Sequence, residues 1–216
     1  MIYHLAKNYS ILNDYISELR DVNVQSDRLR FRKNMCRIGE IIAVEISKHL
    51  QTIDKEITTP LGFYNSKTLK QQPVITTILR AGVPMFDGIL NIFDKANCGF
   101  VAAYRKHGID DSFEINQEYV TCPEITDRDL IIADPMIATG ASLVMALKEL
   151  ERYGKPKSIH IACAISSQLG LELVSRQYPD ALIWTADIDD ELTAKSYIVP
   201  GLGDAGDLSY GEKMQF

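Results

Sequence analysis

Five short runs rich in apolar and β-branched residues, at 74–79, 99–104, 130–133, 158–165 and 181–187, constrain the fold of this chain more than any other feature. Each has the length of a β-strand, and most are separated by stretches with helical spacing. Pro84 suits the first turn of a helix over about 84–93, where its missing N–H would have no partner anyway. Residues 141–153 form an amphipathic stripe ended by Gly154 and Pro156, and 168–177 read as another helix. Upstream, Ser26 or Asp27 could cap a helix running towards Leu50, because Met35, Ile38, Ile41, Ile42 and Ile46 fall on one face. Strands that alternate with helices bury both faces of a parallel sheet, so the expectation is an α/β fold with a mainly parallel sheet flanked by helices. Two stretches break the alternation. Residues 105–122 are polar, contain Gly108 and Asp110-Asp111, and read as a hairpin or mobile loop with strand-like sides. Residues 195–216 are rich in glycine, lack a period and read as ordered loop.

A chain of 216 residues can bury roughly 70% of the surface its unfolded form exposes, enough for one sizeable domain. Lys and Arg number 23 against 29 Asp and Glu, a formal charge of −6. Such a body is a poor general binder of polyanions, because nucleic-acid affinity comes largely from neutralising phosphates. An anionic ligand must instead be held by a few concentrated donors. The N-terminal residues have no apolar stretch of signal-peptide length. The longest apolar runs fall far short of the ~20 residues of a spanning helix. Cys36, Cys98, Cys122 and Cys163 are widely and unevenly spaced, with no C-x-x-C pair. Reduced thiols in a cytoplasmic protein are expected, rather than a disulfide framework or a zinc site.

The most informative segment is Leu130-Ile131-Ile132-Ala133-Asp134-Pro135-Met136-Ile137-Ala138-Thr139-Gly140-Ala141-Ser142. An apolar strand ends in an acid, crosses a loop containing Thr-Gly and enters a helix. Loop amides and a helix N-terminus then surround one point, which suits a phosphate. Thr139 and Ser142 can add hydroxyl donors, while Gly140 lets the backbone approach closely. Asp134, at the carboxyl end of a parallel strand, lies where open α/β sheets bind ligands. A carboxylate repels phosphate, so hydroxyls are its natural partners, and phosphate beside hydroxyls means a phosphorylated sugar. The competing reading is an ordinary βα turn with a Ser/Thr cap. Three further segments bear on the choice. Arg80, in Ile78-Leu79-Arg80-Ala81-Gly82, offers a planar fork of donors at another strand end, and Tyr104-Arg105 opens the polar stretch. The tail Tyr197-Ile198-Val199-Pro200-Gly201-Leu202-Gly203-Asp204-Ala205-Gly206-Asp207 contains a formal G-x-G-x-x-G. A dinucleotide site is not expected there, because a helix and a ribose-binding acid ~20 residues on do not fit before Phe216.

Together these segments resemble the type I phosphoribosyltransferases. The stretch 130–142 is similar to the loop that binds phosphoribosyl pyrophosphate. Most members carry two adjacent acids at the strand end; here Pro135 takes the second place, and Asp-Pro-Met-x-Ala-Thr-Gly-x-Ser is similar to the version in uracil phosphoribosyltransferases. Arg80 and Arg105 resemble the arginines that contact the donor, and the tail resembles the uracil-binding segment. Phe31-Arg32 and the following helix with Glu45 look like the family's opening helix, so the likeness runs from about Arg20 to Gly211. After Tyr104-Arg105 the family more often has acidic residues and a Thr, where this chain reads Lys106-His107-Gly108-Ile109-Asp110-Asp111.

The resemblance implies a Rossmann-like fold with a β-arm, a core over about 71–187, and a small hood from the N-terminal region and 188–216. It implies transfer of the phosphoribosyl group to uracil, giving UMP and pyrophosphate. Donor contacts would come from Arg80, Arg105, Asp134, Pro135, Met136, Ile137, Ala138, Thr139, Gly140, Ala141, Ser142 and Asp204. Ile198, Gly203, Asp204 and Ala205 would contact the base, and Arg80, Arg105, Asp134 and Asp204 would carry catalysis. Backbone groups of a rigid loop can read the acceptor, donor, acceptor edge of uracil, and cytosine's reversed pattern would leave buried groups unpaired. Mg²⁺ would arrive on the donor's oxygens rather than in a protein cage. Relatives form dimers or higher assemblies, so a homo-oligomer is expected, and activation by GTP stays open. The histidines His4, His49, His107 and His160, and Trp184 with the methionines, read as structural or surface residues. Two rivals remain: a phosphoribosyltransferase for another base, and a pyrimidine-sensing RNA-binding regulator, which would want a basic face.

Overall fold

Apolar side chains that alternate along the central strands point to opposite faces of one sheet, and each face acquires its own core. The computed structural model describes residues 1–107 and 113–214, with side chains for 1–102 and 119–214. The chain begins with β1 (Ile2–His4), α1 (Ile11–Arg20), α2 (Arg28–Ser47), β2 (Thr52–Thr59) and β3 (Gly62–Leu69). Then come β4 (Val74–Leu79), α3 (Val83–Ile92), β5 (Asn97–His107), β6 (Phe113–Thr121), β7 (Asp129–Ala133), β8 (Met136–Ile137) and α4 (Ala141–Leu150). The rest is β9 (Ser158–Ser167), α5 (Gln168–Gln177), β10 (Leu182–Asp189), β11 (Glu191–Leu192), β12 (Ile198–Val199) and α6 (Ala205–Tyr210).

The main sheet has the order β1-β10-β9-β7-β4-β5-β6, with the short β8 also paired to β9. Its pairs are parallel except β5 with β6. Ile75, Ile131, Ala133, Ala162 and Trp184 join one core with α2 and α3. Val74, Leu130, Ile132, Ile161 and Ile183 join the other, under α4 and α5. Trp184 is fully buried, stacked on Tyr3 with ring centroids 3.9 Å apart, and its indole N–H donates to His160 Nδ1 at 3.2 Å. Burial lowers the His160 pKa to about 4, so the ring is neutral and its Nε2–H is left to donate to Ser158 Oγ.

The connections locate a crevice. From β4 the chain crosses through α3 to β5 on one side, and from the adjacent β7 it crosses through α4 to β9 on the other. The order in which successive strands are added therefore reverses between the parallel neighbours β4 and β7, and open sheets of this kind bind ligands at the carboxyl ends of the strands there. Arg80 and Asp134 are the residues that leave those two strands.

The expected strands and helices are present, and Asp27, not Ser26, caps α2, accepting from Leu29 N and Arg30 N. Three elements differ from the sequence reading. The hairpin of β2 and β3 and the helix α1, capped by Ser10 with Asn13 reaching back, lie in stretches whose patterns were not resolved into elements. The tail is not loop throughout: β12 pairs with β11, and the glycine-rich stretch runs into α6. A helix does fit there because Asp204 caps it within six residues of chain. Gly108, Ile109, Asp110 and Asp111 lie outside the described residues, and β5 and β6 give the flanks of that stretch the expected strand pairing. All four cysteines are free, and burial pushes the Cys163 thiol up to about 12. No helix among the described residues is long and apolar enough to cross a membrane.

Candidate active site

Two helix N-termini without side-chain caps meet at this crevice. Ser10, Asp27, Ser167 and Asp204 cap α1, α2, α5 and α6, whereas α3 and α4 begin at Gly82 and Gly140 with no side-chain cap. Uncapped first turns leave N–H groups available, and the aligned peptide dipoles make such ends attractive to anions. Gly140 has φ 79°, and a Cβ there would come within 2.9 Å of the Gly170 carbonyl, so this turn needs glycine. Thr139 Oγ1 accepts from Ala141 N at 3.4 Å, and Pro135 O accepts from Ala164 N and Ile165 N, which pins the loop to β9.

A cleft of about 950 Å³ opens over these turns. One wall is the loop after β7, through Asp134, Pro135, Met136, Ala138, Thr139 and Ala141. The facing wall is the tail, through Gly203, Asp204, Ala205 and Gly206, and Ala81 of the β4–α3 turn closes the base. Segments some seventy positions apart in sequence thus share one cavity. Among the described residues, five of those expected do not line it, Arg80 being one. Ile137 and Ile198 are buried in the two cores, Gly140 is buried at the head of α4, and Ser142 lies in that helix's first turn. Arg80 stands beside the tail, donating to Asp207 Oδ1 and to the Gly211 carbonyl, both at 2.8 Å. Arg105 has its backbone on β5 opposite Ile115, and its side chain lies outside the described residues. Lys195, Ser196, Tyr197 and Lys213 also line the cleft and were not singled out as site residues. Only Tyr197 had a signal in the sequence, as the first residue of the tail motif; the lysines had none.

The charges inside the cleft differ from those of the whole chain. Burial raises the Asp134 pKa from 3.8 to about 7, against a single long hydrogen bond from Met136 N. Burial acts the same way on Asp204, but N–H donation from Asp207 and Gly206 and the Lys213 ammonium outweigh it and hold that carboxylate below its ordinary range. With Asp134 about half protonated near pH 7, Lys195 and Lys213 face fewer than two full carboxylate charges on the wall. A molecule of formal charge −6 therefore presents a cleft suited to an anion.

Comparison with known proteins bears on this geometry. The family model for uracil phosphoribosyltransferase matches residues 6–211. The chain belongs to that family. A uracil phosphoribosyltransferase of Porphyromonas gingivalis is 49% identical over 214 residues, covering 99% of each chain. One from Thermococcus gammatolerans is 37% identical, covering 94% of this chain and 90% of the relative. Among solved structures, the AQ2163 protein of Aquifex aeolicus superposes with a TM-score of 0.87 at 28% identity, covering 98% of each chain. A hypoxanthine phosphoribosyltransferase of Staphylococcus aureus, at 15% identity, shares the fold with a TM-score of 0.50, covering 86% of this chain and 84% of the other. The type I phosphoribosyltransferase architecture expected from the resemblance is the one observed.

Proposed function

We propose that this protein transfers the phosphoribosyl group of 5-phosphoribosyl 1-pyrophosphate to uracil, giving UMP and pyrophosphate. The observation that carries the reading is the single cleft in which two uncapped helix N-termini face the Gly203–Ala205 backbone. In this assignment the N-terminus of α4, with Thr139, takes the 5-phosphate of the sugar. Asp134 faces the ribose hydroxyls, as an acceptor when ionised. The pyrophosphate lies towards Ala81, the head of α3, Arg80 and Lys213, where positive charge is concentrated. Arg80 must then exchange Asp207 for a phosphate oxygen, a replacement of one charge-assisted bond by another. Uracil is read by peptide groups of Gly203, Asp204 and Ala205.

The bond from the anomeric carbon to pyrophosphate breaks as the bond to uracil N1 forms, and N1 gives up its proton. Charge develops on the departing pyrophosphate and on the sugar ring. The protein's contribution is positioning and fixed dipoles aimed at that charge, which act strongly in a site with little water. Mg²⁺ would arrive on the donor's oxygens, and Asp134 and Asp204, the carboxylates lining the cleft, are the residues that would face it there. When bound it supplies neutralising charge for the pyrophosphate. A homo-oligomer is supported by the β2–β3 hairpin, a two-stranded ribbon with Leu61, Phe63 and Tyr64 exposed, since such ribbons are barely stable alone in water.

A coupled assay offering uracil, cytosine, hypoxanthine and orotate in turn, each with the sugar-phosphate donor and Mg²⁺, tests the reading. Uracil alone should be consumed at a substantial rate. Faster turnover of hypoxanthine or orotate would overturn the assignment of the base.

A further inference from the structure

We infer that Arg20 and Asp189, neither of which touches the cleft, are positioning residues that hold the base-reading tail in place. The tail leaves the β11–β12 pair at Val199 and is next fixed at Asp204, the cap of α6. Among the described residues, the hydrogen bonds that tie Pro200, Gly201, Leu202 and Gly203 to the rest of the molecule all fall on one residue, Gly201. Its N–H donates to Asp189 Oδ2 at 3.0 Å, and its carbonyl accepts from Arg20 Nη1 at 3.0 Å. The same guanidinium grips Asp189 through both carboxylate oxygens, at 2.8 and 2.9 Å, and reaches Asp187 at 2.9 Å. Asp187 in turn meets His4 at 3.0 Å.

Asp189 is only 6% exposed, so its charge depends on Arg20 for compensation. Gly201 is itself buried with φ 58°, and a Cβ there would strike the Ile198 carbonyl, so the turn has no freedom to slide. An ion pair between the end of α1 and the end of β10 therefore holds both backbone groups of one residue, two residues ahead of the Gly203–Ala205 wall. This rests on reading that wall as the uracil contact. The clamp acts chiefly on the base, because the donor's expected contacts hang mainly from β4, β5 and β7, and the one in the tail, Asp204, is fixed separately as the cap of α6.

Steady-state kinetics on the full-length protein separate the possibilities. Arg20→Lys keeps a charge beside Asp189 but loses the fork that holds the Gly201 carbonyl. Asp189→Asn keeps an acceptor for the Gly201 N–H and removes the charge, and it serves where the lysine variant is insoluble. Each should raise KM for uracil by about tenfold, with KM for the donor within about twofold of the parent, as expected for losing one charge-assisted hydrogen bond at a distance. Gly203→Ala, which places a side chain at φ 96° on the wall itself, is the control and should raise KM for uracil by direct contact. If Gly203→Ala raises it while both clamp variants leave it at the parent value, or move kcat and both KM values together, the positioning role is wrong and the base site stands. If Gly203→Ala also leaves it unchanged, the reading of the tail falls, and the clamp's role with it.

Discussion

Replacing Asp134 with Asn should stabilise the folded protein while removing most of its activity, and the stability gain should grow with pH. The folded carboxyl has a pKa of about 7 because burial disfavours its charged form, whereas in the unfolded chain it returns to about 3.8. The folded state therefore holds this proton more tightly. The group's favourable contribution is fully present below about pH 4 and is lost as pH rises through about 7. About three units at 1.36 kcal/mol each give roughly 4 kcal/mol lost by pH 8, of which about 2–3 kcal/mol disappears between pH 5 and 8. Asn carries no charge to bury and keeps an oxygen for the Met136 N–H. Urea unfolding of parent and variant, without substrates, should show the variant's advantage widening by about 2–3 kcal/mol from pH 5 to 8 at unchanged m-value. A stability difference that stays constant across that range would refute the burial argument. In the same variant kcat/KM for the donor should fall by about 10²–10³, the scale of losing one well-placed electrostatic contact. For the parent, kcat/KM should rise with pH through about 7, as the carboxylate that accepts the ribose hydroxyls forms.

Arg80→Ala should leave stability nearly intact, because its bridge to Asp207 joins side chains 41% and 29% exposed and such pairs contribute about 0–1 kcal/mol. Its kcat/KM for the donor should nevertheless drop by about 10² or more, and unaltered kinetics in the folded variant would take Arg80 out of the site. Asp204→Asn should keep the helix cap, since Asn caps as well as Asp, but should lose the charge facing Lys213. Turnover should then fall with little change in thermal midpoint, and equal turnover would discredit the tail assignment. His160 is neutral when folded and titrates at about 6.5 when unfolded, so the unfolded state binds more protons as pH falls. Stability should decline by roughly 3 kcal/mol from pH 6.5 to below 4 on this account, and His160→Gln should flatten that part of the pH–stability curve measured by urea unfolding.

Much of this protein is written in local pattern. Strand-length apolar runs, Asp27 as a cap, Pro84 in a first turn and Gly154 after α4 are choices a few neighbouring residues make, and their consequences are visible without the rest of the chain. The Asp134–Ser142 loop belongs to the same class, since a strand, a turn and a helix N-terminus form a complete local unit. The helix α6 escaped because six residues are too few to show a period, although Asp204 marked its start. The hairpin of β2 and β3 escaped because both its faces are exposed over most of their length and leave no alternation to read.

What only the tertiary structure decided is which local units face one another. The cleft joins residues 134–141 to 203–206, Arg80 reaches 127 positions along the chain to Asp207, and Arg20 reaches 181 to Gly201. Nothing within a strand or a loop encodes such distances; the order β9-β7-β4-β5 does, because successive crossovers leave the parallel pair β7 and β4 in opposite senses across the sheet. Burial at the end of β7 turns Asp134 from an ordinary acid into one that titrates near neutrality. The residue type was legible in the sequence, and its charge state was not, because charge in a protein depends on the water that the rest of the fold has removed.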